Sequence, residues 1–464
     1  MFQKVESTMR KNFVLDTNIL LDNPESLFGF DDNNVWLTGT TLQEIDLKKS
    51  KGRGDVQHNA RECARILDRL RKEGDLLNGV NLPGGGKLFV EPNGISASNL
   101  PAGFSIESPD NRIISTCVYL EKEKHLKAVI LVTNDMMMRV NATACKVKVQ
   151  EHLNDIVQDT GYSGYSSVTC FSKIQGLYSG PVRCPKGLKG EDGDLLHGTG
   201  KPFQNEFLTM KYGTASALVF HRNGMLYRIR DTQLCGWITP KNAIQHFMVH
   251  ALLAPPEEIP LVIFSGPAGT AKTFLSMAVA LDQMGLLKDG EDKAYSKLVI
   301  TRPNVLSDEG FGYWAGDKRE KMDPLLAPYY DNIRKILRKS TNEDEKAVDR
   351  RIDDMIQDGM LELSPLSHIR GRSISDAYIV CDEAQNASRK LIKDVITRGA
   401  EGTKVVLCGD PTQIDAPNLD RYNNGLVYAI ESMKTDDTTV VINNIPDNYS
   451  LRSVLARAAL QRMK

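Results

Sequence analysis

At 464 residues the chain is too long for one ordinary domain and predicts two or three, each able to bury its own core. Its 58 basic and 59 acidic residues leave a net charge of −1, which excludes bulk attraction to nucleic acid, so any such contact has to come from local patches. The eight cysteines form no CxxC pair, the first residues hold no apolar signal core, and no apolar run nears the length of a membrane span. The expectation is a reduced, cytoplasmic protein outside the membrane.

Residues 12–21 read NFVLDTNILL, an apolar strand that ends in Asp16, Thr17 and Asn18. In open α/β sheets ligands bind beyond the carboxyl ends of strands, which makes Asp16 a site candidate rather than only a helix cap. A second strand is expected at residues 35–38, followed by a helix start, TLQEIDL, that carries Glu44. The run KKSKGR and the later Arg61, Arg65 and Arg69, spaced along one helical stripe, form a basic face that is either plain solvated surface or a hold for a phosphate backbone. Residues 80–105 read as a loop or hairpin. Asp110 opens a further helix, and a strand ending near Thr133 delivers Asn134 and Asp135.

Four acids thus fall at element boundaries: Asp16, Glu44, Asp110 and Asp135. Converging carboxylates repel unless a hard cation satisfies them, and Mg²⁺ or Mn²⁺ would also activate water for attack on a phosphodiester. The stretches FVLDTNILL, TTLQEIDLKK, SPDNRIIS and ILVTNDMMMRV resemble a PIN-domain nuclease over about residues 11–150. That resemblance implies that the four acids hold one or two divalent ions and cut single-stranded RNA, with Asn18, Thr133 and Asn134 orienting ligands or water.

Between about residues 161 and 202 the texture turns to Gly, Ser, Tyr, Pro and Lys, the signature of a linker or an extended arm; the GTGK inside it lacks a preceding strand and is set aside. Residues 207–230 alternate apolar and polar side chains around HRNG, a hairpin turn signal, and predict a small antiparallel β unit with a structural role. The domains expected are therefore a PIN-like unit at 1–155, a linker and small β module at 156–234, and an α/β domain with a parallel sheet at 235–464.

Residues 261–273, LVIFSGPAGTAKT, have the grammar of a phosphate loop: an apolar strand, a turn through Gly266, Pro267, Ala268, Gly269, Thr270 and Ala271, then Lys272 and Thr273 opening a helix. Lys272 would reach the β- and γ-phosphates and Thr273 would sit on Mg²⁺. Ala271 stands where glycine is usual; its small methyl group, close to the backbone that approaches the phosphates, is expected to be tolerated at the cost of weaker nucleotide binding. AYIVCDEAQN supplies a strand ending in Asp382 and Glu383, the pair needed to hold the metal and to serve as base for an attacking water. Another strand ends at Gly409 and Asp410, with Gln413 beyond to sense a γ-phosphate.

TPKNAIQ, GPAGTAKT, TRPNV, EGFGYWAGDKREKMDPLLAPYYDN, IRGRSISDAYIVCDEAQN, ITRGAEGTKVVLCGDPTQID and the final LRS resemble the PhoH family, a relative of superfamily-one RNA helicase cores. The resemblance implies that Gln245 contacts adenine, that Lys272, Thr273, Asp382, Glu383 and Gln413 serve ATP and Mg²⁺, and that Arg452 reaches a phosphate. Ser450 and Leu451 depart from the family's Gly-Glu ahead of that arginine. Joined to a PIN domain, the chain looks like fused PIN–PhoH proteins, which are similar to RNA helicases with attached ribonucleases and tend to form rings of identical subunits. RNA contacts are expected from Arg302, Arg370 and Arg372, with Tyr313 and Trp314 as stacking candidates. The alternative is an ATP-driven RNA remodeller whose PIN module never cuts; a small-molecule kinase would need a lid that the motor-like strand ends do not suggest.

Overall fold

The structure is a computed structural model and describes residues 10–52, 54–151, 160–169, 174–287, 293–303, 318–369, 371–416, 419–446 and 449. Arg370, Arg452, Tyr313 and Trp314 lie outside the described residues. Two compact units divide the chain, Met1–Ile156 and Val157–Lys464.

In the first unit six strands, β1 (Asn12–Leu15), β2 (Asn34–Thr38), β3 (Val80–Asn81), β4 (Lys87–Glu91), β5 (Val129–Val132) and β6 (Lys148–Gln150), form one sheet in the order β3-β4-β2-β1-β5-β6. All neighbours are parallel except β3 and β4. Helices α1 (Thr17–Asp22), α2 (Gly39–Lys51), α3 (Gly54–Glu73), α4 (Pro109–Lys122) and α5 (Met136–Ala144) complete the unit. Strand alternation splits the core: Phe13, Leu15, Val35 and Leu37 enter one apolar cluster, and Val14, Trp36, Val129 and Leu131 the other. Burial on both faces is what a parallel sheet requires. The chain builds outward from β1 to β2 and β4, then returns to add β5 on the other side, so β1 and β5 mark the switch point where a cleft opens.

The second unit holds two sheets. Strands β7 (Tyr165–Thr169), β8 (Val182–Arg183), β9 (Lys189–Gly190), β10 (Phe207–Tyr212), β11 (Ala215–Arg222) and β12 (Met225–Arg228) make a small, mainly antiparallel sheet ordered β8-β12-β11-β10-β7-β9. Three of its strands come from the stretch whose composition reads as a linker. Asn223 and Gly224, both at positive φ, form the tight turn between Arg222 and Met225 that HRNG signals. Its hydrophobic back joins the larger core, with Phe207 stacked on Phe247 at 4.8 Å.

That larger core surrounds a six-stranded parallel sheet, β15-β14-β16-β17-β13-β18. Its strands are β13 (Leu261–Ser265), β14 (Lys297–Arg302), β15 (Leu361–Pro365), β16 (Ala377–Cys381), β17 (Lys404–Gly409) and β18 (Thr439–Ile442). Helices α6 (Ala243–Leu253), α7 (Lys272–Gln283), α8 (Lys318–Thr341), α9 (Glu345–Gln357), α10 (Leu366–Ile369), α11 (Arg389–Ile396) and α12 (Gly425–Met433) surround it. Every residue of β13 is buried, Leu261 and Ile263 on one face, Val262 and Phe264 on the other. Such a strand, at about 2 kcal/mol for each buried large side chain, fixes where the loop after it begins. No helix among the described residues is long and apolar enough to cross a membrane.

Candidate active sites: an acidic cleft and a phosphate loop

Asp16 follows β1 directly and is 2% exposed. It occupies the N-cap of α1 but makes no capping bond there. Instead its Oδ2 accepts from Thr133 Oγ1 at 2.8 Å, which ties the ends of β1 and β5 together. Burial is the main force holding its carboxyl up to about 6, with Asp110 and Glu44 adding repulsion and Thr133 opposing. Asp110, in the first turn of α4, is also raised by burial and then by Asp135 and Glu44. All four sequence-selected acids therefore share one field. Glu44 accepts from Thr17 Oγ1 at 2.5 Å, and Asp135 caps α5 through Met138 N at 2.8 Å. The capping role thus holds for Asp135 and fails for Asp16. Among the described residues no three acidic, histidine or cysteine side chains stand close enough to enclose a metal ion as they are. The oxygen-only donor set, with two carboxyls raised first by burial and further by neighbouring acids, suits a hard divalent cation.

The phosphate loop joins β13 to α7. Gly266 has no room for a side chain, because a Cβ there would meet Ile445 at 2.6 Å, and Gly269 turns the chain at φ +86°. Ala271 adopts φ +71° directly before α7, a left-handed conformation that costs a non-glycine residue about 1 kcal/mol. The strain expected at this position is thus in its own backbone. Thr270 Oγ1 donates to Pro267 O at 2.9 Å, bracing the loop around Ala268. Lys272 is buried and donates to the loop carbonyls of Gly266 at 2.6 Å and Pro267 at 3.0 Å, positions that an anion's oxygens would compete for. Burial lowers its pKa, opposed by Cys408, Asp382, Asp410 and Glu383.

A cavity of about 200 Å³ lies over this loop, with Lys272, Thr273, Asp382, Glu383 and Gln413 in its wall. Thr273 Oγ1 donates to Asp382 Oδ1 at 2.8 Å, so the hydroxyl and carboxylate assigned to Mg²⁺ already meet. Gln413 Nε2 donates to Asp410 Oδ2 at 2.8 Å. Gln245 is 3% exposed; its Oε1 accepts from Lys241 N, while its Nε2 has no partner among the described residues. An orphaned buried donor of this kind fits a missing acceptor such as a nucleobase nitrogen.

Two residues in this network escaped sequence reasoning. Tyr329 of α8 donates to Asp382 Oδ2 at 3.0 Å, with its hydroxyl kept protonated chiefly by burial. Gln385 accepts from Asp410 N at 3.0 Å and donates to Glu383 Oε2 at 2.6 Å and to Gln413 O at 2.8 Å. It links the two strand-end loops that face the cavity. Both lie in stretches that carry the PhoH resemblance, DEAQN and PLLAPYYDN, but the contact of Tyr329 with Asp382, 53 residues away, has no local signature.

The comparisons with known proteins agree with this geometry. Residues 13–152 match the model of the PIN domain, and residues 237–464 that of the PhoH-like protein. Protein PhoH2 of Bacillus subtilis is 36% identical over 438 residues, 92% of this chain and 94% of its own. The chain belongs to the family of PIN–PhoH fusion proteins. Protein PhoH2 of Mycolicibacterium smegmatis is 28% identical over 91% of both chains, and a PhoH-like protein of Bacillus subtilis matches at 38% over 38% of this chain and 50% of its own. The chain thus carries a nuclease-like PIN domain and a PhoH P-loop ATPase domain.

Outside the two PIN–PhoH sites, the basic residues divide. Arg372 is bound to Glu362 through both terminal nitrogens, and Lys297 adds a third contact at 2.5 Å, so its role is structural. Arg302 ends β14 near Tyr329, and its buried Nε lacks a partner among the described residues. Arg61, Arg65 and Arg69 are all exposed on α3. Only Arg65 of the three has an ion pair among the described residues, with Glu62 at 3.0 Å.

Proposed function

We propose that the PhoH domain hydrolyses ATP with Mg²⁺ to separate or move RNA, and that the PIN domain uses Mg²⁺ or Mn²⁺ to cut the single strands so delivered. The Thr273–Asp382 contact over the phosphate loop carries the reading, because it joins the two chain segments whose side chains ATP hydrolysis needs. Thr273 and Asp382 would hold the ion, which contributes Lewis acidity when bound. Lys272 would exchange its two loop carbonyls for phosphate oxygens, and Glu383 would accept the proton of the attacking water. Gln413 would turn from Asp410 to the γ-phosphate, a change that Gln385 transmits to Glu383. Gln245 would read the adenine, and Arg452 would complete the site. In the PIN domain Asp16, Glu44, Asp110 and Asp135 would hold the ion that serves cleavage. A homo-oligomer, as a ring, in the cytoplasm is the assembly that goes with this reading.

The second reading is a remodeller whose PIN module does not cut. A 5′-overhang RNA duplex incubated with the protein, Asp16→Asn and Lys272→Ala variants, with and without ATP, decides between them. Cleavage lost with Asp16→Asn and phosphate release lost about a hundredfold with Lys272→Ala supports two engines. RNA left whole by every protein while strands still separate with ATP would establish the remodeller.

A further inference from the structure

A separate cavity, of about 210 Å³, opens where β12 and the segment after it meet α6. Arg228 and Arg230 stand on one side and His246 on the other, with the exposed Asp231 carboxylate 3.8 Å from the His246 ring, over an apolar floor that includes Ile229, Val249 and Leu253. His250 adds no charge to it, since burial, with Lys404 nearby, holds its pKa down to about 4. Among the described residues neither arginine has a carboxylate at ion-pair distance, whereas Arg334, Arg351 and Arg372 are all paired. In a chain of almost zero net charge, two unpaired guanidinium groups at one concavity concentrate positive potential there. The Arg228 guanidinium also lies 4.0 Å from the ring centroid of Tyr178, which is 57% exposed. A planar cation lying over an exposed ring offers a phosphate contact at its edge and a base-stacking surface on an outer face, within one nucleotide's reach.

We propose that this cavity binds a phosphate of single-stranded RNA, with the neighbouring base on Tyr178 or on the Arg228 plane. It is smaller than the roughly 300 Å³ at which pockets begin to enclose whole small ligands, which favours one link of a polymer over a free nucleotide. Part of its wall is α6, the helix that also carries Gln245, the residue assigned to adenine. The small β sheet then becomes an RNA-holding element rather than a spacer. The inference rests on RNA being the substrate.

Fluorescent oligouridylate titrated into the full-length protein in EDTA, at several salt concentrations, tests it without cleavage. The Arg228→Ala/Arg230→Ala double variant should bind about tenfold more weakly, with a salt dependence shallower by about one to two phosphate contacts, each worth roughly 0.7 in slope. Arg228→Lys should keep the slope and lose part of the affinity, and Tyr178→Ala should lose affinity without changing the slope. Binding of ATP to the phosphate loop, followed in parallel with Mg²⁺, should be the same in all of them, which controls for folding. Wild-type affinity and slope in the double variant would overturn the proposal while leaving RNA as substrate. Displacement of the oligonucleotide by millimolar uridine monophosphate would overturn it in favour of a free-nucleotide site, and failure of the parent protein to bind the oligonucleotide would sink both readings.

Discussion

Ala271 spends stability on a left-handed turn that glycine adopts freely. Ala271→Gly is expected to stabilise the protein by about 1 kcal/mol, raising Tm by about 2 °C, and to tighten nucleotide binding, both readable by thermal shift with and without ATP. Asp16 poses the reverse case, a buried carboxyl facing Asp110 and Glu44. In EDTA at pH 8 Asp16→Asn should raise stability by about 2 kcal/mol, because the charged form is the one burial disfavours. Mn²⁺ should raise the Tm of the parent and leave that of the variant unchanged. Tyr329→Phe removes one of the two hydroxyls that hold Asp382 and should raise the Mg²⁺ concentration needed for half-maximal ATP binding several-fold, measured with a fluorescent nucleotide.

At the scale of elements, equivalent sequence signals part company. Asp16 and Asp135 each follow a strand and precede a helix, yet only Asp135 caps its helix, since Thr133 takes the Asp16 carboxylate across the β1–β5 junction. The edge pair β14 and β15 is locked by Glu362, whose carboxyl is lowered to about 2 by Arg372 first and Lys297 next, against its own burial. The lowered value means that the contribution is full above pH 4.5, where the unfolded carboxylate is also ionised, and is lost as pH falls towards about 2. Glu362→Gln should therefore cost about 1 kcal/mol at pH 7, the partial solvent screening of the cluster keeping it small, and the deficit should disappear in urea titrations near pH 2.

At the scale of the molecule, the small sheet and the PhoH domain share one core, in which Phe207 stacks on Phe247 and tilts against Phe220. Phe207→Ala should cost about 3–5 kcal/mol in the unfolding transition that ATP stabilises, and a chain begun at residue 235 should be less stable than one begun at residue 160. Sequence by itself determined what depends on short stretches of chain. The apolar strands that end in acids, the phosphate loop with its lysine and threonine, and the Asn223-Gly224 turn are each specified by residues within one or two turns of backbone. Composition did not disclose the strands in the region around 161–202, because such short strands gain their hydrogen bonds and burial from partners elsewhere in the chain. Tertiary structure alone decided which carboxylate stays free of its cap, that Arg372 is neutralised by Glu362, and that Tyr329 reaches Asp382 from α8. The reason is that a side chain's partner, its burial and therefore its charge state are set by whichever elements pack against it, and local periodicity carries no record of them.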